Sequence, residues 1–409
     1  MTTVDVYGLR IRQARVLRRM TSKAVMAELG WKGARQTRLE QAQQTTLDAA
    51  EAEKLAHVLR FSTSFLTTPP RSRVSASDLL FRAPRSTSAG EKEYLAQFAA
   101  VAGDFLDELD GRWPLPPVKV PSLDSSTATA LAAAQVRQRL GVETDAPIPY
   151  LTYELERAGV PVIMRVRHRK STNSLSWTPG DDDSGLSEKH LGYSTRVGEY
   201  SERPLVVVRT SESWERTRWT IAHEIGHLTL HSRAPEISAE AELQASLFAS
   251  ELLAPARAIA PELPKVPSLL NLVPLKLKWG ISIGALIRHL ESSGLIDTNR
   301  YEMLSRQLYT RINPDTGHTW GRTEPGWDAR QIERPRLLAR WVERCYGATS
   351  ATMLASQQLI WPQDLIEDFL AGQRSAPNRT PFTPRESQPL HTETSVIVAT
   401  DRFRERRRA

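Results

Sequence analysis

The sequence predicts a mainly α protein with a small β-sheet, which places it in the α+β class. Apolar residues recur at helical spacing along most of the chain, whereas two apolar runs, Val160–Val166 and Leu205–Val208, have the character of strands. The 409 residues are 40% hydrophobic and 25% charged, a composition that suits a globular protein of two or three domains.

Composition also excludes some classes of protein. The chain has no run of about 18 apolar residues, so neither a membrane span nor a membrane partner is expected. Its N-terminus mixes charged and apolar residues and has no signal-peptide core. Cys345 is the single cysteine, which rules out an internal disulfide framework. These features together predict a cytoplasmic protein.

Residues 5–70 are predicted to form a bundle of short helices that ends at Pro69-Pro70. Thr21 is a candidate N-cap for the second helix. Residues 1–73 also carry 13 Lys/Arg against 6 Asp/Glu, and such a basic segment is typical either of a nucleic-acid-binding surface or of a solvated, mildly basic one. The predicted helices are Gly8–Arg19, Ser22–Leu29, Lys32–Gln41 and Thr46–Leu59.

The remaining chain divides into four predicted regions. Residues 71–120 are a connector with a helix over about 91–109, and residues 121–262 hold both apolar strands, loops with short strands such as Leu175–Trp177, and two helices over 211–233 and 238–256. Residues 263–370 are predicted to be helical. Residues 371–409 are predicted to be a disordered basic tail, because they are polar and end in five arginines among nine residues.

The sharpest chemical signal is the stretch TIAHEIGHLTLH, residues 220–231. His223 and His227 lie four residues apart, so on a helix both imidazoles project from one face and can share a tetrahedral Zn²⁺. Glu224 lies beside them, where its carboxylate can take a proton from a water that the metal has acidified. The alternative is a chance match, which the amphipathic context of the stretch disfavours.

A catalytic zinc site needs a third protein ligand and an open fourth position. Glu242, on the next predicted helix, is favoured because Ala245 and Ala249 leave its helix face small enough to approach the histidines. Glu240, Glu251 and His231 are the alternatives, and His231 is expected to support a ligand rather than to bind. His289 is either a group that stabilises the oxyanion or, in the favoured interpretation, a surface histidine.

Two segments, Ala222–His231 and Glu242–Pro255, resemble the paired motifs of the ImmA/IrrE family of metallopeptidases. The resemblance implies a zincin-like helical peptidase domain with a small mixed β-sheet, with His223, His227 and Glu242 as zinc ligands and Glu224 as the catalytic base. It also implies that Leu205–Val208 is a strand of that sheet, and an edge strand there could bind an extended substrate. Ser246 departs from the family's Asn or Asp, and Ala254 departs from its Met.

Residues 8–60 resemble the XRE type of helix-turn-helix domain, on the phrases RIRQARVLRRMTSKAVMAELGW and RQTRLEQ. The resemblance implies that Lys32, Arg35, Gln36 and Arg38 face double-stranded DNA in a major groove. Ser22 and Gln36 depart from the usual pattern, and recognition of a partner protein is the alternative. Trp320, Trp327, Trp341 and Trp361 are predicted to be core anchors, and Asp181–Asp183 a solvated acidic run.

Three functions are therefore weighed. The favoured one is a zinc endopeptidase that cleaves a specific regulator, for which the family resemblance suggests a helix-turn-helix repressor. The second is a DNA-binding transcriptional regulator whose metal site is not proteolytic. The third is one half of a toxin–antitoxin or phage-immunity pair. A structural zinc site has four protein ligands and no use for Glu224, so the sequence favours the peptidase.

Overall fold

The computed structural model describes residues 2–80, 87–165, 192–209, 213–232, 234, 237–347 and 359–373. Residues Met1–Ala376 form one compact unit. Within the described residues the fold is mainly helical with two small sheets, as the sequence predicts. The predicted tail, the strand near Leu175–Trp177 and the Asp181–Asp183 run lie outside the described residues. The division of the chain into five regions, with residues 5–70 as the first, stays a prediction.

The N-terminal bundle combines five helices with a two-stranded ribbon. Its strands pair antiparallel, with Thr3 opposite Asp48 and Val6 opposite Thr45. Thr21 caps the second helix as predicted, since its side chain accepts a hydrogen bond from the amide of Ala24. The elements are β1 (Thr3–Val6), α1 (Gly8–Leu17), α2 (Ser22–Leu29), α3 (Arg35–Gln41), β2 (Thr45–Asp48), α4 (Ala49–Leu59) and α5 (Thr63–Thr67).

Two predicted helices of this bundle begin later than expected. The helix predicted from Lys32 begins at Arg35, because Gly33 has a left-handed backbone with φ of +66°. The helix predicted from Thr46 begins at Ala49, where Asp48 caps it by accepting from the amide of Ala50. The residues before Ala49 instead form β2, which pairs with a strand that the sequence did not signal.

The rest of the described chain surrounds a three-stranded sheet. The predicted helices at the connector and at both metal-binding motifs are confirmed as α6, α9 and α10. The elements are α6 (Ala89–Arg112), α7 (Thr129–Leu140), α8 (Leu151–Arg157), β3 (Val162–Arg165), β4 (Gly192–Val197), β5 (Arg203–Arg209), α9 (Trp214–Leu230), α10 (Ala239–Leu253), α11 (Ala256–Ile259), α12 (Leu269–Trp279), α13 (Ile283–Ser292), α14 (Thr298–Thr310), α15 (Leu337–Tyr346) and α16 (Gln363–Leu370).

The sheet is mixed, with β5 between a parallel β3 and an antiparallel β4. Leu205–Val208 therefore lies in the central strand, and the expectation of an edge strand there was wrong. The reason is β4, which lies in the polar segment predicted to form loops with short strands and which pairs with β5 on the side opposite β3. Leu80 adds one antiparallel bridge to Ser194 of β4, donating its amide to the Ser194 carbonyl at 2.8 Å.

The sheet separates two hydrophobic cores. Alternate residues of β3 and β5 face opposite sides, so Ile163 and Val207 join one core while Met164 and Val206 join the other. The first core also contains the N-terminal bundle, α6, α15 and α16. The second contains α7 to α10 and α12 to α14. Helix α9, which carries His223 and His227, thus lies in the second core and packs against β4 and β5.

The tryptophans predicted to be core anchors differ in their burial. Trp320 and Trp361 are buried as predicted, whereas Trp327 is 45% exposed, so its assignment as a core anchor was wrong.

Among the described helices none is alone long and apolar enough to cross a membrane. Helices α12 and α13 meet the length and hydropathy that a span requires only as a pair, and that pair is bent by 101°.

Ion pairs join the N-terminal bundle to the rest of the unit. Among the described residues, at least six of its arginines contact carboxylates, and four of those carboxylates come from α6 and α16. These contacts offset much of the positive charge that favoured nucleic acid. The pairs are Arg10–Asp104, Arg12–Glu93, Arg15–Glu40, Arg18–Asp364, Arg19–Glu91 and Arg35–Glu51.

Candidate metal centre

Helices α9 and α10 pack closely enough to bring their polar faces together. Each begins at a serine N-cap, since Ser213 accepts from the amide of Arg216 and Ser238 from that of Ala241. Gly226 allows the approach: a Cβ on it would lie 3.0 Å from Phe248 Cδ1 and 3.1 Å from the Ala245 Cα. The small residues of both helices therefore set the separation on which the site depends.

His223, His227 and Glu242 converge at this contact. The Nε2 atoms of the two imidazoles lie 3.1 Å apart. The Glu242 carboxylate reaches both, with Oε2 3.4 Å from His223 Nε2 and Oε1 3.3 Å from His227 Nε2. All three candidate ligand atoms lie within 4.8 Å of one another, a spacing at which one divalent cation can bind all of them. Two imidazoles and one carboxylate also suit zinc, and they leave a fourth position for solvent or substrate.

The alternative third ligands lie elsewhere. Glu240 is exposed, and Glu251 accepts from the amide of Ala256 at 3.3 Å. His231 turns its Nδ1 to the Nδ1 of His227 at 3.0 Å, on the side of that ring away from Glu242. Glu242 is therefore, among the candidates, the carboxylate that the fold brings to the two histidines.

Burial and neighbouring charge set the ionisation of these groups. Burial lowers the pKa of His227 to about 4, which keeps its imidazole neutral, as a metal ligand must be. Burial acts to raise the pKa of Glu242, but the imidazoles of His223 and His227 outweigh it and hold that pKa below its ordinary value. At neutral pH the site therefore presents a carboxylate beside a neutral imidazole, which is a donor set ready for a cation.

Glu224 lies on the sheet side of the centre and is almost fully buried. Its Oε2 accepts a hydrogen bond from the Ser194 hydroxyl at 2.9 Å. Burial raises the pKa of Glu224 well above its ordinary value, the Ser194 hydrogen bond opposes that rise, and the nearby Glu242 carboxylate adds to it. A carboxyl group with a raised pKa can both take and return a proton near neutral pH.

Ser194 and Gly192 of β4 are functional candidates that sequence reasoning missed. A Cβ on Gly192 would lie 3.3 Å from Glu224 Oε1 and 2.9 Å from the Thr220 methyl, so glycine leaves room beside the carboxylate. The alternation of GYSTRV, residues 192–197, was the available signal for a strand. No spacing in the sequence connects that strand to the motif helix, because the contact is made across the sheet.

The side of His223 that faces away from the ligand cluster has a long hydrogen bond and a stacking contact. Ser246, which departs from the family pattern, has its hydroxyl 3.4 Å from His223 Nδ1 and donates to the Glu242 carbonyl at 2.8 Å. The indole of Trp219 stacks on the His223 ring at a centroid separation of 5.1 Å. Outside the ligand cluster, His223 is thus held by stacking on Trp219 and by one hydrogen bond at the long end of the normal range.

His289 lies neither on the surface nor in the cluster. It is 2% exposed, and its Nε2 donates to the Ala254 carbonyl at 2.9 Å, with Glu251 Oε1 at 3.7 Å. The favoured interpretation as a surface histidine was therefore wrong. Its contact with the residue after α10 indicates that it fastens α13 to the end of the ligand-bearing helix.

The four predicted DNA-facing residues separate into two kinds. Lys32 and Arg38 are exposed, as a DNA-binding surface requires. Gln36 is fully buried and its side-chain amide donates to Glu40 at 2.6 Å, so its assignment as a DNA contact was wrong. It occupies an inward position of α3, where helical spacing places a core residue. Arg35 lies over the Trp31 ring at 4.9 Å and pairs with Glu51.

The site and the sequence together define a domain of metallopeptidase type. Residues 182–291 match the family model Peptidase_M78, described as an IrrE N-terminal-like domain. The matched segment is about a quarter of the chain, contains the ligand cluster and supports the ImmA/IrrE resemblance there. Such a family implies a metal, typically zinc. The N-terminal bundle lies outside the matched segment. No curated protein matches the chain.

Proposed function

We propose that this protein is a zinc-dependent endopeptidase that hydrolyses a peptide bond of a specific regulatory protein. His223, His227 and Glu242 hold the metal, and Glu224 is the general base. The observation that carries the proposal is the convergence of three ligand atoms within 4.8 Å of one another. Beside them the buried Glu224 carboxylate is hydrogen-bonded to Ser194 and is not one of the three ligands. A structural zinc site would have a fourth protein ligand there.

The residues divide the chemistry between them. Zinc, when bound, supplies Lewis acidity towards the scissile carbonyl and lowers the pKa of the attacking water. Glu224 takes a proton from the attacking water as the water oxygen adds to the carbonyl carbon. Glu224 then transfers that proton to the amine nitrogen as the C–N bond breaks. Ser194 holds Glu224 Oε2 in place and leaves Oε1 towards the space beside Gly192.

Metal analysis and activity test the proposal separately. We expect about one zinc per chain in wild type, loss of zinc in Glu242→Ala, and full zinc in the matched control Glu240→Ala, whose carboxylate is exposed on the same helix. Glu224→Gln should keep zinc and lose a factor of about 10²–10⁴ in cleavage of a peptide library followed by mass spectrometry. Cleavage by Glu224→Gln at the wild-type rate would overturn the proposal.

The substrate class is proposed from the family resemblance, which suggests a helix-turn-helix repressor. The proteins encoded on either side of this gene are purified, and a helix-turn-helix repressor among them is the probe, incubated with wild type and with Glu224→Gln. A cleaved repressor with wild type alone supports this substrate class. An intact repressor that co-purifies with either form would instead support the toxin–antitoxin or phage-immunity function, in which the protein acts by binding.

Binding of double-stranded DNA by residues 5–70 is a second candidate function. The observation that favours it is the exposure of Lys32 and Arg38 around α3, while most other arginines of the bundle have carboxylate partners inside the protein. DNA binding would place the peptidase near a regulator that is itself bound to DNA. A filter-binding titration with duplex DNA at low salt tests it, and no binding at about 50 mM salt would contradict it.

A further inference from the structure

We infer that His231 and Gln244 are positioning residues that fix the tautomer and the orientation of His227; the inference rests on the proposed metal site. Behind His227, three hydrogen bonds follow one another through the protein. His227 Nδ1 lies 3.0 Å from His231 Nδ1, and His231 Nε2 lies 2.8 Å from Gln244 Oε1. The Gln244 side-chain nitrogen then donates to the Ser125 carbonyl at 2.7 Å. We call these four residues the relay.

The last member of the relay decides the direction of every bond in it. A backbone carbonyl only accepts, so the Gln244 nitrogen must face Ser125 and its oxygen must face His231. His231 consequently carries its proton on Nε2 and offers the lone pair of Nδ1 to His227. His227 must then donate from Nδ1, which leaves the lone pair of Nε2 directed at the ligand cluster. That is the tautomer that a metal ligand needs.

Reversing the hydrogen bonds of the relay would be unfavourable at its Ser125 end. A proton on His227 Nε2 would let that ring donate to Glu242, but His231 would then have to donate from Nδ1 and accept at Nε2. The Gln244 amide would have to reverse, and its oxygen would face the Ser125 carbonyl oxygen at 2.7 Å. Two acceptors at that distance repel. In the metal-binding tautomer the His227 Nε2 lone pair lies 3.3 Å from Glu242 Oε1, but it can accept from His223 Nε2 at 3.1 Å. The relay therefore favours that tautomer even before a cation arrives.

The relay is also mechanically fixed. His227 and His231 are almost fully buried, so water does not readily replace the bond between their rings, whereas the bond from Gln244 to Ser125 is exposed. The loop that supplies Ser125 is tied to the end of α9, since the amide of Leu123 donates to the Thr229 carbonyl at 2.7 Å and the hydroxyls of Ser122 and Ser232 lie 2.6 Å apart. The two ligand histidines therefore differ, because among the described residues the hydrogen-bond partner of His223 Nδ1 is the Ser246 hydroxyl at 3.4 Å.

Zinc affinity, measured by competition with a chromophoric chelator, tests the relay. We expect His231→Phe and Gln244→Leu each to weaken zinc binding by a factor of about 10 to 100, the range for loss of a group that orients a ligand. Ser246→Ala is the matched control behind the other histidine, and we expect a change of less than about threefold, because its bond is long. A circular dichroism melt of each zinc-free variant shows that it is folded.

A tautomer measurement keeps the test independent of folding in the variants. The ¹⁵N chemical shifts of His227 in wild type, with and without zinc, should show a protonated Nδ1 and an unprotonated Nε2 in both states. An Nε2-protonated His227 without zinc, or unchanged zinc affinity in both folded variants, would overturn the relay. Neither result touches the proposed function, which falls instead if Glu224→Gln cleaves peptides at the wild-type rate.

Discussion

The metal centre and the N-terminal bundle both concentrate ionisable side chains, yet they use them in opposite ways. In the bundle each of six arginines meets its own carboxylate, so charge is balanced pair by pair. In the metal centre two imidazoles and the Glu242 carboxylate point at one position, and Glu224 stands beside them. Balanced pairs hold elements together, whereas converging donors provide a site for a cation. The difference shows why net charge along a sequence is a weak guide to binding.

The largest expected effect tests whether the charges of the bundle are structural. Arg10 and Asp104 are 2.7 Å apart with side chains 1% and 3% exposed, and Asp104 also accepts from the amides of Arg71 and Ser72. Removing one partner strands a buried charge, so Asp104→Ala should lower the free energy of unfolding by about 3–5 kcal/mol in urea titrations. Glu93→Ala breaks the exposed Arg12–Glu93 pair and should cost less than about 1 kcal/mol. Equal losses would contradict this account.

The next effect concerns pH and the end of the ligand-bearing helix. Burial lowers the pKa of His289 to about 4 from an ordinary 6.5. Between these two pH values the unfolded chain therefore binds a proton at His289 that the native state does not bind. The contribution of neutral His289 to the free energy of unfolding is complete above pH 6.5 and is lost as pH falls towards 4. Over that window the free energy of unfolding should fall by roughly 3 kcal/mol from this residue.

Urea titrations from pH 7 to pH 4 measure this loss. His289→Gln should remove about 1.4 kcal/mol per pH unit from the slope between the two pKa values. Exposed His318 supplies the control His318→Gln, which should leave the slope as in wild type. His227, whose pKa burial also lowers to about 4, keeps part of the slope in both variants. An unchanged slope in His289→Gln would refute the assignment.

A smaller effect tests how closely the two ligand helices must approach. A Cβ at Gly226 would lie 3.0 Å from Phe248 and 3.1 Å from Ala245, so Gly226→Ala should push α9 from α10 and cost about 1–3 kcal/mol of stability. Zinc affinity should fall with it, because the ligands lie on both helices. Gly111→Ala, on α6 with nothing within 4 Å, is the control and should gain up to about 1 kcal/mol. Stabilisation by both substitutions would show that the helix separation is not critical.

The smallest effect would give the bundle a binding surface after all. If DNA binding is found, Lys32→Ala and Arg38→Ala should each reduce the slope of log affinity against log salt by about 0.9. Arg12→Ala, whose guanidinium already contacts Glu93, should leave the slope unchanged. Filter binding between about 50 and 200 mM salt measures all three. An equal reduction for Arg12→Ala would mean that the paired arginines also contact phosphate.

Local patterns account for what the sequence predicted well. The spacing of His223 and His227 is a property of one helix, and the small residues around Glu242 announce a close second helix, so the cluster needed little long-range information. Ser194 could not be placed beside Glu224, because a strand in a polar segment had to be paired first. The arginine partners in α6 and α16 could not be predicted either. No local pattern specifies contacts 72 residues apart, as between Arg19 and Glu91, or 346 residues apart, as between Arg18 and Asp364.

That long separation has a consequence for biosynthesis. The first hydrophobic core, which contains the N-terminal bundle, also includes Trp361 and Phe369 near the end of the described chain. Their rings pack against Phe65, Phe98 and Phe105. At about 5–20 residues per second, a ribosome needs roughly 20 to 70 s to travel from Arg18 to Asp364. During that interval the bundle is exposed to solvent without its last aromatic partners. A nascent chain arrested before α16 should therefore bind chaperones that protect apolar surface, and release them when α16 emerges.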